Sequence, residues 1–158
     1  MARVEMNSPV GALAIEADDT ALTAIHWIDH PRDGGEISSP LLAEARRQVA
    51  AYFAGTLRAF DLPVAPAGSA FEHRVWELMC RIPYGGTMTY GEMAAALGGD
   101  PRNGGGRAIG AACGSNPIPI VIPCHRVMAA GGRMGGYSGR GGVHTKGALL
   151  ALEGALLL

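Results

Sequence analysis

Residues 116–126 read Asn-Pro-Ile-Pro-Ile-Val-Ile-Pro-Cys-His-Arg. A thiol, an imidazole and a guanidinium stand side by side at Cys124, His125 and Arg126, directly after an apolar run closed by Pro123. A cysteine beside cationic or basic groups loses its proton more readily, and the thiolate is the form that attacks electrophiles. Nucleophilic chemistry at Cys124 is one reading; a small buried residue beside a solvent-facing histidine is the other. A second run, Gly136-Tyr137-Ser138-Gly139-Arg140, approaches the G-x-S-x-G turn of hydrolases but carries Arg at its last position. Seventeen of the 24 glycines lie between Gly85 and Gly142. Neither phosphate-loop spacing is present there, so glycine signals tight turns and close backbone approach rather than nucleotide binding.

Several elements must position these groups. Residues 10–28 hold two apolar runs around Asp18-Asp19-Thr20, a strand-turn-strand pattern. From Pro40 to Ala54 the residues Leu41, Leu42, Ala45, Val49 and Phe53 fall at helical spacing. The segment Leu-Pro-Val-Ala-Pro-Ala-Gly-Ser-Ala (62–70) reads as a linker, with a domain boundary near Gly68. Ser69 can cap a helix that buries Phe71, Val75, Trp76, Leu78 and Met79. Thr89 precedes a second helix with Tyr90, Met93, Ala94 and Leu97 on one face. After a Gly/Pro-rich turn, a short helix is expected over 107–114; two short helices across a turn outline a helix-turn-helix. Residues 118–122 are expected as a short buried strand or extended segment leading to Cys124.

The net charge of the 158 residues is -1, which by itself argues against nucleic acid as a partner. The total conceals an asymmetry. Residues 1–72 carry 5 basic and 10 acidic side chains, whereas residues 73–158 carry 8 basic and 4 acidic ones. After Asp100 the only acid is Glu153. Three cysteines, none in a C-x-x-C arrangement, do not build a disulfide scaffold or a cysteine-rich zinc module. Neither a secretory leader nor a membrane-spanning run is recognised, so a reducing cytoplasm is the expected setting.

The run Pro-Cys-His-Arg-Val, preceded by Asn116-Pro117, resembles the acceptor motif of the O6-alkylguanine-DNA alkyltransferases, the methylated-DNA–protein-cysteine methyltransferases. Further matches follow in order: Ile82-Pro83-Tyr84-Gly85, Tyr90-Gly91, Arg107-Ala108-Ile109-Gly110, Gly135 to Gly139, Lys146, Leu149-Leu150 and Glu153. Ser8 to Gly11 and Phe60 to Pro63 resemble the family's smaller domain, so the likeness spans essentially the whole chain. It implies an α+β fold. A small N-terminal sheet-and-helix supporting domain (1–68) would precede a mostly helical, winged-helix-like DNA-binding and acceptor domain (69–158).

The implied activity is irreversible, single-turnover transfer of an alkyl group from guanine O6 in double-stranded DNA. Cys124 is the implied nucleophile and acceptor, with His125 taking its proton through a water. Glu153 would orient the imidazole, Asn116 would hold the turn, and Tyr90 would donate to the guanine ring. The implied DNA contacts are Arg107, filling the gap left by a flipped nucleotide, with Ala108, Gly110, Ala111, Cys113 and Tyr90 beside it. Carbonyls of Cys124 and Val127, together with Tyr137, Ser138 and Gly139, would line the base pocket. Arg126 is expected to support the fold or the charge field. No cofactor or metal is implied: residues 1–68 offer only His26 and His30 toward the zinc that some members hold. A monomer is expected, with no membrane association.

The chain departs from the family pattern in three places. The turn at Pro101-Arg102-Asn103-Gly104-Gly105-Gly106 is longer, Gly86 replaces an acid, and Arg140 replaces a glycine. Arg140 is expected to add a phosphate contact or to narrow the pocket. The competing functional classes are a non-catalytic protein that binds alkylated bases, against which Cys124 speaks, and a Cys- or Ser-dependent hydrolase.

Overall fold

The alternating Ala-Arg-Val-Glu-Met at the start of the chain buries one side chain, Val4, and forms β1 (Ala2–Met6). The remaining elements were obtained, like β1, from a computed structural model that describes residues 2–32, 37, 39–99 and 105–156. β2 (Ala12–Ala17) is almost wholly apolar and takes the centre of an antiparallel sheet, flanked by β1 and β3 (Leu22–Ile28). The β2–β3 turn is fixed by Asp18, whose Oδ1 accepts from the backbone N–H groups of Thr20 and Ala21, both at 2.8 Å. The strand-turn-strand pattern is therefore present. β1 was not anticipated, because its two charged residues leave too little apolar signal.

Helix α1 (Pro40–Phe53) starts where expected: Pro40 opens it and Ser39 Oγ accepts from Leu42 N. Its buried stripe of Leu42, Ala45, Gln48, Val49 and Tyr52 faces β1 and β2. The following segment returns along the sheet, with Leu22 N donating to Pro63 O and Ala65 N to Leu22 O.

Helix α2 (Ala70–Cys80) and helix α3 (Tyr90–Ala96) each begin with a capping box, Ser69 with Glu72 and Thr89 with Glu92. Helix α4 (Gly105–Gly114) packs on both, and Trp76 Nε1 donates to the Ala112 carbonyl at 2.9 Å to tie α2 to α4. It begins two residues before the expected start; residues 101–104 of the glycine-rich turn lie outside the described residues. Met88–Thr89 (β4) and Val127–Met128 (β5) form a short parallel pair that sets the start of α3 beside the Cys124 segment. Helix α5 (Val143–Leu152) closes the structure. Among the described residues, no helix is long and apolar enough to cross a membrane.

The expected extended segment at 118–122 is a tight turn instead. Ile122 N donates to Ile118 O at 2.9 Å, and Ile120 sits at φ 77°, the left-handed region that β-branched residues avoid. Asn116 imposes this shape: its Nδ2 donates to Ile122 O at 2.8 Å while its Oδ1 accepts from Ile118 N at 3.0 Å. Apolar composition predicted burial correctly, since Ile118, Ile120 and Ile122 are all buried. It could not reveal that a side-chain amide bends the run.

Candidate active site

The Asn116-braced turn delivers Pro123 into a single 3-10 turn, Cys124–Arg126, whose three side chains are all buried. The alternative reading, with a solvent-facing His125, fails, because the imidazole is fully enclosed. Its Nε2 lies 2.7 Å from Glu153 Oε2, and Glu153 is brought there as the residue that caps the end of α5. Arg126 grips the same carboxylate, Nε to Oε1 at 2.8 Å and Nη2 to Oε2 at 3.1 Å, and its Nη1 donates to Ile82 O at 2.7 Å. A fourth group completes the cluster: the hydroxyl of Tyr52, from α1, donates to Glu153 Oε2 at 2.6 Å. Lys146 does not join it. Its ammonium donates instead to the carbonyls of Val127 (2.6 Å) and Gly136 (3.2 Å).

The electrostatics follow from this packing. Burial alone would raise the Glu153 carboxyl, but hydrogen bonds from His125, Arg126 and Tyr52 outweigh it and hold the group at about 2. Burial drives the His125 imidazole below its ordinary range, opposed by Glu153 and seconded by Arg126 and Lys146. The resting histidine is therefore neutral, and with Nε2–H directed at a carboxylate its lone pair resides on Nδ1. That Nδ1 is buried and has no partner among the described residues. The expectation of a depressed Cys124 thiol is overturned. Burial raises it, and the Asn116 hydrogen bond and the Lys146 charge recover only part of the difference. The resting Cys124 is a thiol, so nucleophilic chemistry at its sulfur requires that the proton leave.

In front of Cys124 lies a cavity of about 190 Å³ lined by Tyr90, Gly110, Cys113, Gly114, Cys124, Gly136, Tyr137 and Ser138. Tyr90 and Gly136 both border this cavity, and burial raises the Tyr90 phenol, so it stays protonated and able to donate. The Tyr137 hydroxyl is buried without a partner among the described residues. Cys113 faces this cavity, where burial pushes its thiol up to about 12, while Arg107, Ala108 and Ala111 form the exposed face of α4.

The loop carrying Tyr137 and Ser138 is fastened to the sheet. Trp27 of β3 meets the Tyr137 ring edge-on with centroids 6.2 Å apart, and Gly139 is wedged against both. Arg140 is exposed and held to the sheet: its Nη1 donates to Ile28 O at 2.9 Å and lies 3.2 Å from Asp29. Val127 sits at the back of the site with its carbonyl already engaged by Lys146.

The structure thus brings Cys124, His125, Glu153, Asn116, Tyr90, Val127, Tyr137, Ser138 and Gly139 into one neighbourhood. Tyr52 and Trp27 escaped sequence reasoning. Tyr52 sits on the buried stripe of α1, and its one distinguishing mark was a phenol that must find a partner when buried.

The same arrangement of segments occurs in known proteins. Residues 70–155 match the profile of the 6-O-methylguanine DNA methyltransferase DNA-binding domain, and residues 4–66 match that of the ribonuclease-like domain of the same methyltransferases. The methylated-DNA–protein-cysteine methyltransferase of Mycolicibacterium paratuberculosis is 43% identical over 152 residues, covering 94% of this chain and 89% of that protein. Its counterpart in Methanosarcina acetivorans is 39% identical, covering 94% of this chain and 95% of the relative. The crystal structure of Mycobacterium tuberculosis OGT in complex with DNA superposes with a TM-score of 0.84 at 38% identity, over 97% of this chain and 92% of that one. The chain belongs to the 6-O-methylguanine DNA methyltransferase family.

Proposed function

We propose that this protein repairs double-stranded DNA by direct reversal, taking the alkyl group of O6-alkylguanine onto Cys124 in a single irreversible turnover. The observation that carries the reading is the position of Cys124. Its thiol faces a cavity while the neighbouring His125–Glu153 pair is locked behind it, with one imidazole nitrogen still free to accept a proton. In the reaction the sulfur attacks the alkyl carbon in line with the C–O6 bond, the S–C bond forms and the C–O6 bond breaks. The thiol proton passes, through a bridging water, to His125 Nδ1, and the imidazolium is stabilised by Glu153. Tyr90 donates to the guanine ring as negative charge moves onto the leaving base. The thioether product has no leaving group, so the protein is consumed.

The base reaches this cavity only after leaving the stack. Arg107 on the exposed face of α4 fills the vacated place, and the small Ala108, Gly110 and Ala111 let the helix lie close to the minor groove. The Tyr137–Gly139 loop covers the base. Arg126 and Lys146 are buried, so two of the eight basic side chains of residues 73–158 are withdrawn from any contact with phosphates. We place the boundary between the supporting and acceptor domains at Gly68, and the protein acts as a monomer in the cytoplasm without a cofactor.

The test is a mass measurement after mixing the protein with O6-methylguanine DNA. The peptide containing Cys124 should gain one methyl group in place of the thiol hydrogen, at most one equivalent per protein. Damage-specific binding with no mass gain would favour the non-catalytic alkylated-base-binding alternative.

A further inference from the structure

The N-terminal part of the chain contributes a buried hydrogen bond to the carboxylate behind the acceptor. Tyr52 Oη and Glu153 Oε2 are 2.6 Å apart, 101 residues apart in sequence, and both side chains are enclosed. The direction of the bond is unambiguous. Burial and the neighbouring carboxylate push the phenol well above its usual range, so Tyr52 is the donor and Glu153 the acceptor. Oε2 is also the oxygen that meets His125 Nε2. Three donors, the Tyr52 hydroxyl from α1 and His125 Nε2 and Arg126 Nη2 from the Cys124–Arg126 turn, therefore converge on Oε2, while Arg126 Nε holds Oε1.

We propose that Tyr52 is a positioning residue for alkyl transfer: its hydroxyl holds the Glu153 carboxylate in place and sets how strongly that carboxylate draws a proton onto His125. The proposal rests on the assignment of Cys124 as acceptor and His125 as its base. A donor on Oε2 disperses the negative charge that would otherwise stabilise the imidazolium, so it moderates His125 basicity. It also keeps Oε2 ionised and aimed, which fixes the Nε2–H tautomer and leaves Nδ1 as the proton acceptor. The other charged or titratable groups facing this pair are Arg126 and Lys146, which oppose protonation of His125, and Cys124 in front of it. Tyr84 packs edge-on against Tyr52, 6.4 Å between ring centroids, and is occupied by the Leu152 carbonyl. The supporting layer thus acts on the chemistry directly, through one hydroxyl.

The deciding experiment follows single-turnover methyl transfer against pH for the full-length protein, Y52F, and a protein carrying 3-fluorotyrosine at position 52 alone. Y52F keeps the ring that fills the core and removes only the donor. Its transfer rate at neutral pH should fall about tenfold, the scale of a hydrogen bond to a charged group, and the acid limb of its profile should move to higher pH. Fluorotyrosine is a stronger donor and should move that limb to lower pH. Binding of O6-methylguanine DNA should stay unchanged in both.

A role confined to packing would lower stability but leave the acid limb where it is in both variants, and that result overturns the proposal. Should Y52F fold poorly, the fluorotyrosine profile decides alone. Absence of transfer in the wild-type protein would instead refute the assignment of Cys124, so the two failures are distinguishable.

Discussion

The two sides of the Cys124–Arg126 turn are opposites. Behind it, Glu153 receives hydrogen bonds from His125, Arg126 and Tyr52, and both carboxylate oxygens are matched by donors. In front of it, Cys124 faces a cavity bordered by Tyr137, whose hydroxyl is buried with no partner among the described residues, and the adjoining His125 likewise leaves Nδ1 without one. Buried polar groups in folded proteins are nearly always paired. Among the described residues the buried polar side-chain atoms without a partner are Thr23 Oγ1 in β3, His125 Nδ1 and the Tyr137 hydroxyl, so two of the three belong to the neighbour of Cys124 and to the cavity lining. The rear is closed by hydrogen bonds within the fold, whereas the front opens on a cavity.

Removing the acceptor probes the front most severely. C124A should abolish methyl transfer entirely while leaving the melting temperature and DNA affinity near wild type, because a small buried side chain is replaced by a smaller one. Transfer to any other residue, seen by peptide mass, would break the assignment.

At the rear, E153A strands a buried guanidinium and should destabilise the fold by about 3–5 kcal/mol, the usual cost of leaving half of a buried ion pair. Urea denaturation measures this, and a loss below about 1 kcal/mol would show that the rear is less tightly built than its geometry states. In the front, Y90F deletes a donor but nothing from the rear. Single-turnover transfer should slow about 100-fold, within the range for one transition-state donor, at unchanged stability.

The pH response separates the two sides further. Glu153 has its carboxyl lowered from 4.5 to about 2, so its stabilisation is complete above 4.5 and is lost as pH falls toward 2. His125 is lowered from 6.5, so the unfolded chain takes up a proton first and stability declines once pH falls below 6.5. The Cys124 thiol, raised from 9.0, belongs to the front, and its modification by iodoacetamide in the free protein should climb only above pH 9. Rapid modification at pH 7 would mean that the resting residue is a thiolate.

The smallest effect concerns neither side. S69A removes the cap of α2 and should cost about 1 kcal/mol in thermal or urea unfolding, with transfer unaffected.

Much of the front was legible in the sequence and much of the rear was not. Cys124 and His125 lie in a motif whose residue types announce chemistry, Asn116, Tyr90, Glu153 and the Tyr137–Gly139 loop are legible only through the family resemblance, and the helix starts at Pro40, Ser69 and Thr89 follow from local capping rules. The rear depends on contacts between distant segments. That Arg126 and His125 share Glu153, and that Tyr52 reaches the same carboxylate, is set by how α1, α5 and the catalytic turn pack. No local pattern encodes this. The direction of the Cys124 shift was misjudged for the same reason: adjacency in sequence suggested cationic neighbours, whereas burial dominates.

Gly139 carries a consequence for anyone wishing to alter the adducts this protein accepts. A Cβ at that position would stand 2.4 Å from the Tyr137 ring and 2.7 Å from Trp27. Both are impossible separations, and the atoms concerned belong to rigid rings rather than flexible chain ends. Loop libraries drawn only from residues 135–140 will therefore return glycine at 139 whatever else they vary. A useful library has to include position 27, more than a hundred residues upstream. The unit of redesign is a strand and a loop together.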